Sequence, residues 1–326
     1  MKRLLRLLSL AAYLGAGCAA LWYLAAYDRG DGQNRSERAG GTAAPVTLPA
    51  GPSTGPSTLR IGWTAWADAE AVTLIAARLI ERHFDLEVER VMTDIGIQYR
   101  AVADGDLDIM LMAWLPVTHA NYWQRVRNDV VNLGPIYEGR LGWVVPNYVP
   151  AERVGTLADL RRREVAKRMR YRIQGIDPGS GLMQTSERAM RQYRLDGYEL
   201  VSASGAAMTG ELDRAIRRGE WTVVTAWRPH WIFARYDLRF LDDPDEVLGG
   251  EERVHALARR HFQRDFPPAL TAFFTRLYLP QDELSELLLE AQETSIETAV
   301  EAYLRTHPER VWYWLTGRIE EAEGSD

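Results

Sequence analysis

Apolar positions recur from about Leu59 onward with two alternating periods, which predict strands and helices in turn. "LRIGW" (59–63) reads as a short strand. In "DAEAVTLIAARLIERHF" (68–84), Val72, Ile75, Ala76, Leu79 and Ile80 share one helical face, with Asp68 as the N-cap. "LEVERVM" alternates like a half-buried strand, and "IGIQYRAVADG" is a short helix closed by Gly105. "LDIMLMAW" (107–114) is a continuous apolar run of the kind buried on both faces. "RLGWVVP" is another strand. "VPNYVPAERVGTLADL" then crosses into a unit that repeats the theme: strand "YRIQGI", turn "DPGSG", helix "LMQTSERAMRQYRL", strand "YELVSAS", helix "AAMTGELDRAIRRG", strand "WTVVTAW". The remainder, from about residue 251, reads as mainly helical, with "QDELSELLLEAQETSIETAVEAYLRT" as its longest stretch.

Strands alternating with helices predict two α/β lobes, each with a largely parallel sheet. Residues 58–146 and 251–326 form lobe 1 and 147–250 form lobe 2, with a ligand cleft between them. Ahead of the lobes, residues 28–57 are rich in Gly, Pro, Ser and Thr, lack apolar periodicity, and read as a flexible linker. Residues 1–27 differ again. "MKRLLR" supplies Lys2, Arg3 and Arg6 ahead of Leu7–Tyr27, a run without a charge. That run is long enough to span a bilayer, and the basic residues before it favour keeping the short end inside. The segment is expected to be a membrane anchor that leaves the rest of the chain extracytoplasmic. Lipidation at Cys18, in "LGAGC", is the competing reading.

Composition narrows the partners. Cys18 is the only cysteine, so the exported part has neither a disulfide nor a thiol nucleophile. Residues 1–27 hold three of the 39 basic residues and none of the 45 acidic ones, so the rest carries a net charge of −9. That balance argues against nucleic acid. The basic run "RRREVAKRMR" reads as a solvated helix face.

In open α/β sheets ligands bind beyond the carboxyl ends of strands. Three tryptophans stand at such exits: Trp66 after "LRIGWTA", Trp114 ending "LDIMLMA", and Trp227 ending "WTVVTA". A sheet–helix core is filled as well by Val, Ile or Leu, so large aromatics from both lobes at equivalent positions point to a site. Trp63 lies three residues before Trp66, on the opposite face of the strand. At another exit, "DPGSGLM" opens directly into a helix, leaving the amides of Gly181 and Leu182 free to bind an anion such as a carboxylate. Tryptophan faces attract cations, above all quaternary ammonium groups that donate no hydrogen bonds. The combination implies a small zwitterion with a methylated cation at one end and a carboxylate at the other. Thr118 also fits as N-cap of the helix "HANYWQRVRNDVV", which would make His119 a first-turn residue. Beside Trp114 the histidine is the better candidate for a ligand contact.

"TAWADAEAVT", "DGDLDIMLMAWLPVTHA", "GIDPGSGLM" and "TAWRPHWIFARYDLRFLDDP" together resemble the glycine betaine-binding proteins of ABC transporters, from about Leu59 to Tyr303. The resemblance implies a two-lobed type II periplasmic-binding-protein fold and delivery of ligand to an ABC transporter permease subunit for osmoprotectant uptake. It matches Trp66, Trp114 and Trp227 to a cage for the ammonium group, and His119, Gly181 and Leu182 to the carboxylate contacts. Relatives commonly carry an acidic residue straight after the first cage tryptophan; here Ala67 stands there and Asp68 follows. His230, in "RPHW", reads as a structural residue behind Trp227.

Nothing in the chain points to catalysis. The six histidines show no metal-ligand spacing, no G-x-S-x-G elbow is present, and Ser180 lacks an evident base. No cofactor or metal is expected. A membrane-anchored sensory ectodomain would use the same cleft, and an exported enzyme acting on a methylated amine is the remaining alternative.

Overall fold

The computed structural model describes residues 55–319. The anchor segment with Cys18 and Trp22, almost all of the linker, and the last seven residues lie outside the described residues.

In chain order the elements are β1 (Thr58–Trp63), α1 (Ala67–His83), β2 (Glu87–Met92), α2 (Ile95–Asp104), β3 (Ile109–Leu115), α3 (Ala120–Val126) and β4 (Val130–Pro146). A 3-10 turn at Leu157–Arg161 leads to α4 (Arg163–Arg168), β5 (Arg172–Gln174), α5 (Gly181–Gln192), β6 (Glu199–Val201), α6 (Gly205–Arg217), β7 (Val224–Arg228), α7 (Ile232–Arg235) and β8 (Leu238–Phe240). The chain ends with β9 (Glu251–Arg259), α8 (Phe262–Asp265), α9 (Pro268–Arg276), α10 (Gln281–Glu293), α11 (Ile296–Thr306) and α12 (Pro308–Thr316).

These strands form one sheet in the order β2-β1-β3-β9-β4-β7-β5-β6, with β8 paired to β4. β1 runs parallel to β2 and β3, and β5 parallel to β6 and β7. β9 is antiparallel to both β3 and β4, and β4 is antiparallel to β7 and β8. The sheet is therefore mixed, where a largely parallel one is expected from the strand–helix alternation. The difference comes from two elements. β9 lies in a region whose pattern reads as helical, and β4 begins at Val130, ten residues before the apolar run that announces it. β4 bends at register shifts near Gly134 and Tyr137, so its first half lies beside β9 and its second half beside β7.

β3 is buried at all seven positions because it has neighbours on both edges and helices on both faces, as its unbroken apolar run requires. α1 buries Val72, Ile75, Ala76, Leu79 and Ile80 together. Its N-cap is Trp66, not Asp68, which sits two positions inside the helix. α3 starts at Ala120 with His119 as N-cap, so Thr118 does not cap it.

Two buried cores result. The smaller draws only on residues between Trp143 and Leu248. The larger combines β1, α1, α2, β3, β9 and the C-terminal helices with Ile176, Leu182, Met183 and Trp227, which arrive from the middle of the chain. All three strand-exit tryptophans belong to this larger core.

An ion network fixes β9 against β1 and β3. Asp108, almost fully buried just before β3, accepts hydrogen bonds from the Arg60 amide (2.8 Å), the Arg60 guanidinium (3.1 Å) and Arg259 Nε (2.7 Å). Arg259 also donates to Asp265 at 2.6 Å. Removing one member of a buried charged cluster strands its partners and typically costs about 3–5 kcal/mol. Asp108→Ala is expected to lower the unfolding free energy by about 3 kcal/mol, read as a fall in the urea midpoint at unchanged slope.

Candidate functional site

Trp66, Trp114 and Trp227 converge on one cavity. His119, Gly181 and Leu182 line the same cavity, with Thr118, Ser180, Leu141 and Ile176 completing its wall. Trp63 is not among the lining residues. A larger, open hollow of about 1120 Å³ lies alongside β9, lined by Leu115, Trp123, Glu138 and Glu252 among others. Glu252 there is bonded to the Val117–Thr118 loop, and the hollow gathers no set of aromatic rings.

The three tryptophans come from three strand exits. Trp66 follows β1 at the start of α1, Trp114 is the next-to-last residue of β3, and Trp227 is the next-to-last of β7. The Trp66 and Trp227 rings lie 6.3 Å apart, tilted by 56°. Trp114 meets the Tyr137 ring edge-on at 6.0 Å. Backbone shape makes room for it: a Cβ on Gly139 of β4 would fall 2.4 Å from Trp114 Cη2.

A buried indole needs a partner for its N–H. Trp227 Nε1 donates to Asp68 (3.0 Å), and Trp66 Nε1 donates to Asp177 (3.0 Å). Neither carboxylate lines the cavity, so both indoles anchor their polar edges elsewhere and leave their carbon surfaces as walls. Asp68 also accepts the Tyr137 hydroxyl at 2.6 Å. One carboxylate thus orients Trp227 directly and supports Trp114 through Tyr137. Asp68 is fully buried, and desolvation raises its pKa to about 6 against the pull of those hydrogen bonds. The sequence marked Asp68 only as a helix cap. The one available signal was an acidic residue displaced by one position from where relatives carry theirs.

Opposite the indoles, α5 begins at Gly181 with Ser180 as N-cap, its hydroxyl taking the Met183 amide at 3.2 Å. The N–H groups of Gly181 and Leu182 are the first two of the helix and have no acceptor within it. They lie next to His119. A Cβ on Gly181 would stand 2.5 Å from His119 Cδ2 and 2.5 Å from the Thr118 carbonyl oxygen, so only glycine lets this turn approach the histidine.

His119 is buried, with Nδ1 3.2 Å from the Trp114 amide and 3.3 Å from the Tyr99 hydroxyl. Burial lowers its pKa to about 3, so the ring is neutral at physiological pH. A tautomer that accepts the Trp114 N–H at Nδ1 carries its proton on Nε2, beside the Cδ2 edge that meets Gly181. Thr118 contributes no free hydroxyl. It donates to Glu252 of β9, which also takes the amides of Thr118 (3.0 Å) and Val117 (2.9 Å). Glu252 therefore ties the loop carrying His119 to the sheet, a role its neighbours in sequence do not suggest. His230 packs edge-on to Trp227 at 4.7 Å and accepts the Ile232 amide at 3.2 Å, behind the cage.

The arrangement brings aromatic walls suited to a cation and N–H groups suited to an anion to one cavity. Among the described residues no group of His, Cys, Asp or Glu is placed to hold a metal ion.

The pattern of the family described as "Substrate binding domain of ABC-type glycine betaine transport system" matches residues 57–306. The glycine betaine/carnitine transport binding protein GbuC of Listeria monocytogenes is 33% identical over 168 residues, which is 51% of this chain and 55% of that protein. The chain thus spans about half the length of this curated relative. The glycine betaine/L-proline-binding protein ProX of Borrelia burgdorferi superposes with a TM-score of 0.74 at 30% identity, covering 79% of this chain and 96% of that one. Lactococcal OpuAC, closed on glycine betaine, gives 0.73 at 28% identity, covering 80% and 100%. Both structures establish the two-lobed periplasmic-binding-protein architecture for this chain.

The buried groups predict an acid dependence of stability. His119 and His230 have pKa values lowered by burial to about 3 against about 6.5 when unfolded. The unfolded chain therefore takes up protons first, and stability falls as pH drops below about 6.5. Asp68 acts in the opposite sense, since the folded state takes its proton at about 6 and the unfolded chain only near 3.8. Unfolding free energies measured between pH 7 and 4 are expected to decline, and to decline more steeply in Asp68→Asn.

Proposed function

Because the chain belongs to the family of substrate binding domains of ABC-type glycine betaine transport systems, we propose that it is the extracytoplasmic solute-binding protein of an ABC importer. Its ligand is glycine betaine or a closely related quaternary ammonium zwitterion, taken up as an osmoprotectant. One observation carries this reading: three tryptophans and three N–H donors, drawn from strand exits far apart in sequence, line a single cavity.

Trp66, Trp114 and Trp227 box the trimethylammonium group. Each face contributes roughly 0.5–2 kcal/mol to a desolvated cation. Asp68 and Asp177 add to this from outside the cavity, because a carboxylate on an indole N–H increases the electron density of the ring face. The Gly181 and Leu182 amides and His119 Nε2 hold the carboxylate. A neutral histidine suits this role, since it donates one hydrogen bond and brings no second charge into a buried site. Alkali ions and primary amines are disfavoured, because aromatic faces do not replace the hydrogen bonds of their hydration shells.

Lobe 1 comprises residues 58–146 and 251–326, and lobe 2 residues 147–250. Ligand is enclosed between them, presented to a permease subunit and released there. Residues 1–27 anchor the protein in the membrane, with residues 28–57 as tether. The family is one of substrate binding domains, so the chemistry is capture and release.

Calorimetry of residues 55–326 with glycine betaine, proline betaine, carnitine and choline tests the assignment. Glycine betaine is expected to bind near the micromolar range, about −8 kcal/mol, and choline, which lacks the carboxylate, more weakly. No heat with any of the four would overturn the ligand class, and preference for choline would overturn the carboxylate site. Trp114→Ala is expected to raise Kd at least about 30-fold, the loss of one cation–π wall and its packing, whereas Trp123→Ala leaves it within about twofold. The mass of protein extracted from membranes separates an intact anchor from a lipid on Cys18.

A further inference from the structure

The cavity is lined by residues that touch the ligand in the reading above, yet a second set of contacts spans the same gap without entering it. Tyr122 lies on α3, just after the loop that carries His119, and its hydroxyl donates to the Gly179 carbonyl at 2.5 Å. The same hydroxyl accepts from Gln184 Nε2 at 2.7 Å, and Gln184 Oε1 accepts from Asn121 Nδ2 at 3.1 Å. Gly179 and Gln184 flank Gly181 and Leu182 on either side, one in the turn and one on α5. The four residues therefore close a ring of three hydrogen bonds between the β3 exit and the β5 exit, directly behind the carboxylate-binding amides.

The Tyr122 ring is held in place from its own side. It stacks on Tyr99 at 5.4 Å with an interplanar angle of 23°, and meets the His119 ring edge-on at 5.9 Å. Tyr99, His119 and Tyr122 thus form one aromatic block on the β3 side, and only the Tyr122 hydroxyl reaches across. Asn121 and Gly179 are exposed and Gln184 is half-buried, so all of these groups find water when the two sides part. The contacts add nothing to either side alone. They contribute only when the gap is closed.

We propose that Tyr122 and Gln184 form a latch across the cleft that sets how long ligand is retained. They do so as positioning residues that never touch the ligand. The proposal rests on the reading of the cavity as the betaine site. All of its hydrogen bonds are between neutral groups, and burial raises the Tyr122 pKa, so the latch works unchanged through the physiological pH range. It also accounts for the absence of Tyr122 from the cavity wall despite its contact with His119.

The test is stopped-flow tryptophan fluorescence with glycine betaine on wild type, Tyr122→Phe, Gln184→Ala and the double variant, with thermal melting of each ligand-free protein. Tyr122→Phe keeps the ring stack and loses two neutral hydrogen bonds, and is expected to raise the dissociation rate about tenfold. The association rate should stay within about twofold, because mutations that loosen a closed complex act mainly on dissociation. Gln184→Ala should raise dissociation about fivefold, and the double variant more than Tyr122→Phe but by less than the product of the two single effects, since the Tyr122–Gln184 bond is lost in both. The ligand-free melting temperature should be unchanged in all three. Dissociation rates within twofold of wild type in both single variants would overturn the latch while leaving the betaine site standing. A drop in ligand-free melting temperature with unchanged dissociation would make Tyr122 a packing residue and also overturn it. Failure of wild type itself to bind glycine betaine would overturn the reading of the site, and the latch with it.

Discussion

A single buried carboxylate determines how the centre of this molecule is arranged. Asp68 is fully enclosed near the start of α1, and it meets the Tyr137 hydroxyl from β4 and the Trp227 indole from β7. Without those two donors the group would have to stay neutral or reach water, at a cost of several kcal/mol. Without Asp68 the donors would be stranded in turn. The two strands and one helix that supply these groups are therefore held in one relative position, and the Trp227 ring can stand only where its N–H reaches the carboxylate. A polar requirement thus sets the geometry of a wall whose working surface is apolar.

The same logic runs through the rest of the cavity. Trp66 gives its N–H to Asp177, Thr118 gives its hydroxyl to Glu252, and Ser180 spends its oxygen on the Met183 amide. Those bonds fix the polar edges of the lining side chains and leave the faces of the indoles along the cavity wall. The character of the cavity wall thus follows as much from the hydrogen bonds satisfied outside it as from the groups that face inward.

How much of this was legible in the chain depends on the distance over which each signal acts. β3 and α1 declare themselves by local periodicity, and the three tryptophans by their place after apolar runs. Gly181 and Leu182 are marked by a turn that opens a helix. Asp68 was read as a cap because its partners lie 69 and 159 residues away, beyond any local pattern. β9 was missed for a more specific reason. Its burial alternates, but one of the inward positions is Glu252, a charged residue where an apolar one is expected. That glutamate faces inward because the Val117 and Thr118 amides are waiting for it, and those amides belong to a loop more than a hundred residues earlier. Long-range polar pairing is what hydrophobic periodicity does not report.

The placement of β9 bears on how the chain reaches its final form. β9 lies between β3 and β4, yet it is synthesised after every other strand. Until residues 251–259 are available, β3 and β4 each present an unpaired edge, and the Asp108 cluster lacks Arg259. Open edges of this kind invite pairing with other chains, and contacts so distant in sequence form slowly. The protein is therefore committed to assembling its central sheet late, once most of its 326 residues have left the ribosome. A fragment ending before Glu251 would be both incomplete and prone to aggregate, whereas one lacking only the residues ahead of Thr58 retains every strand of the sheet.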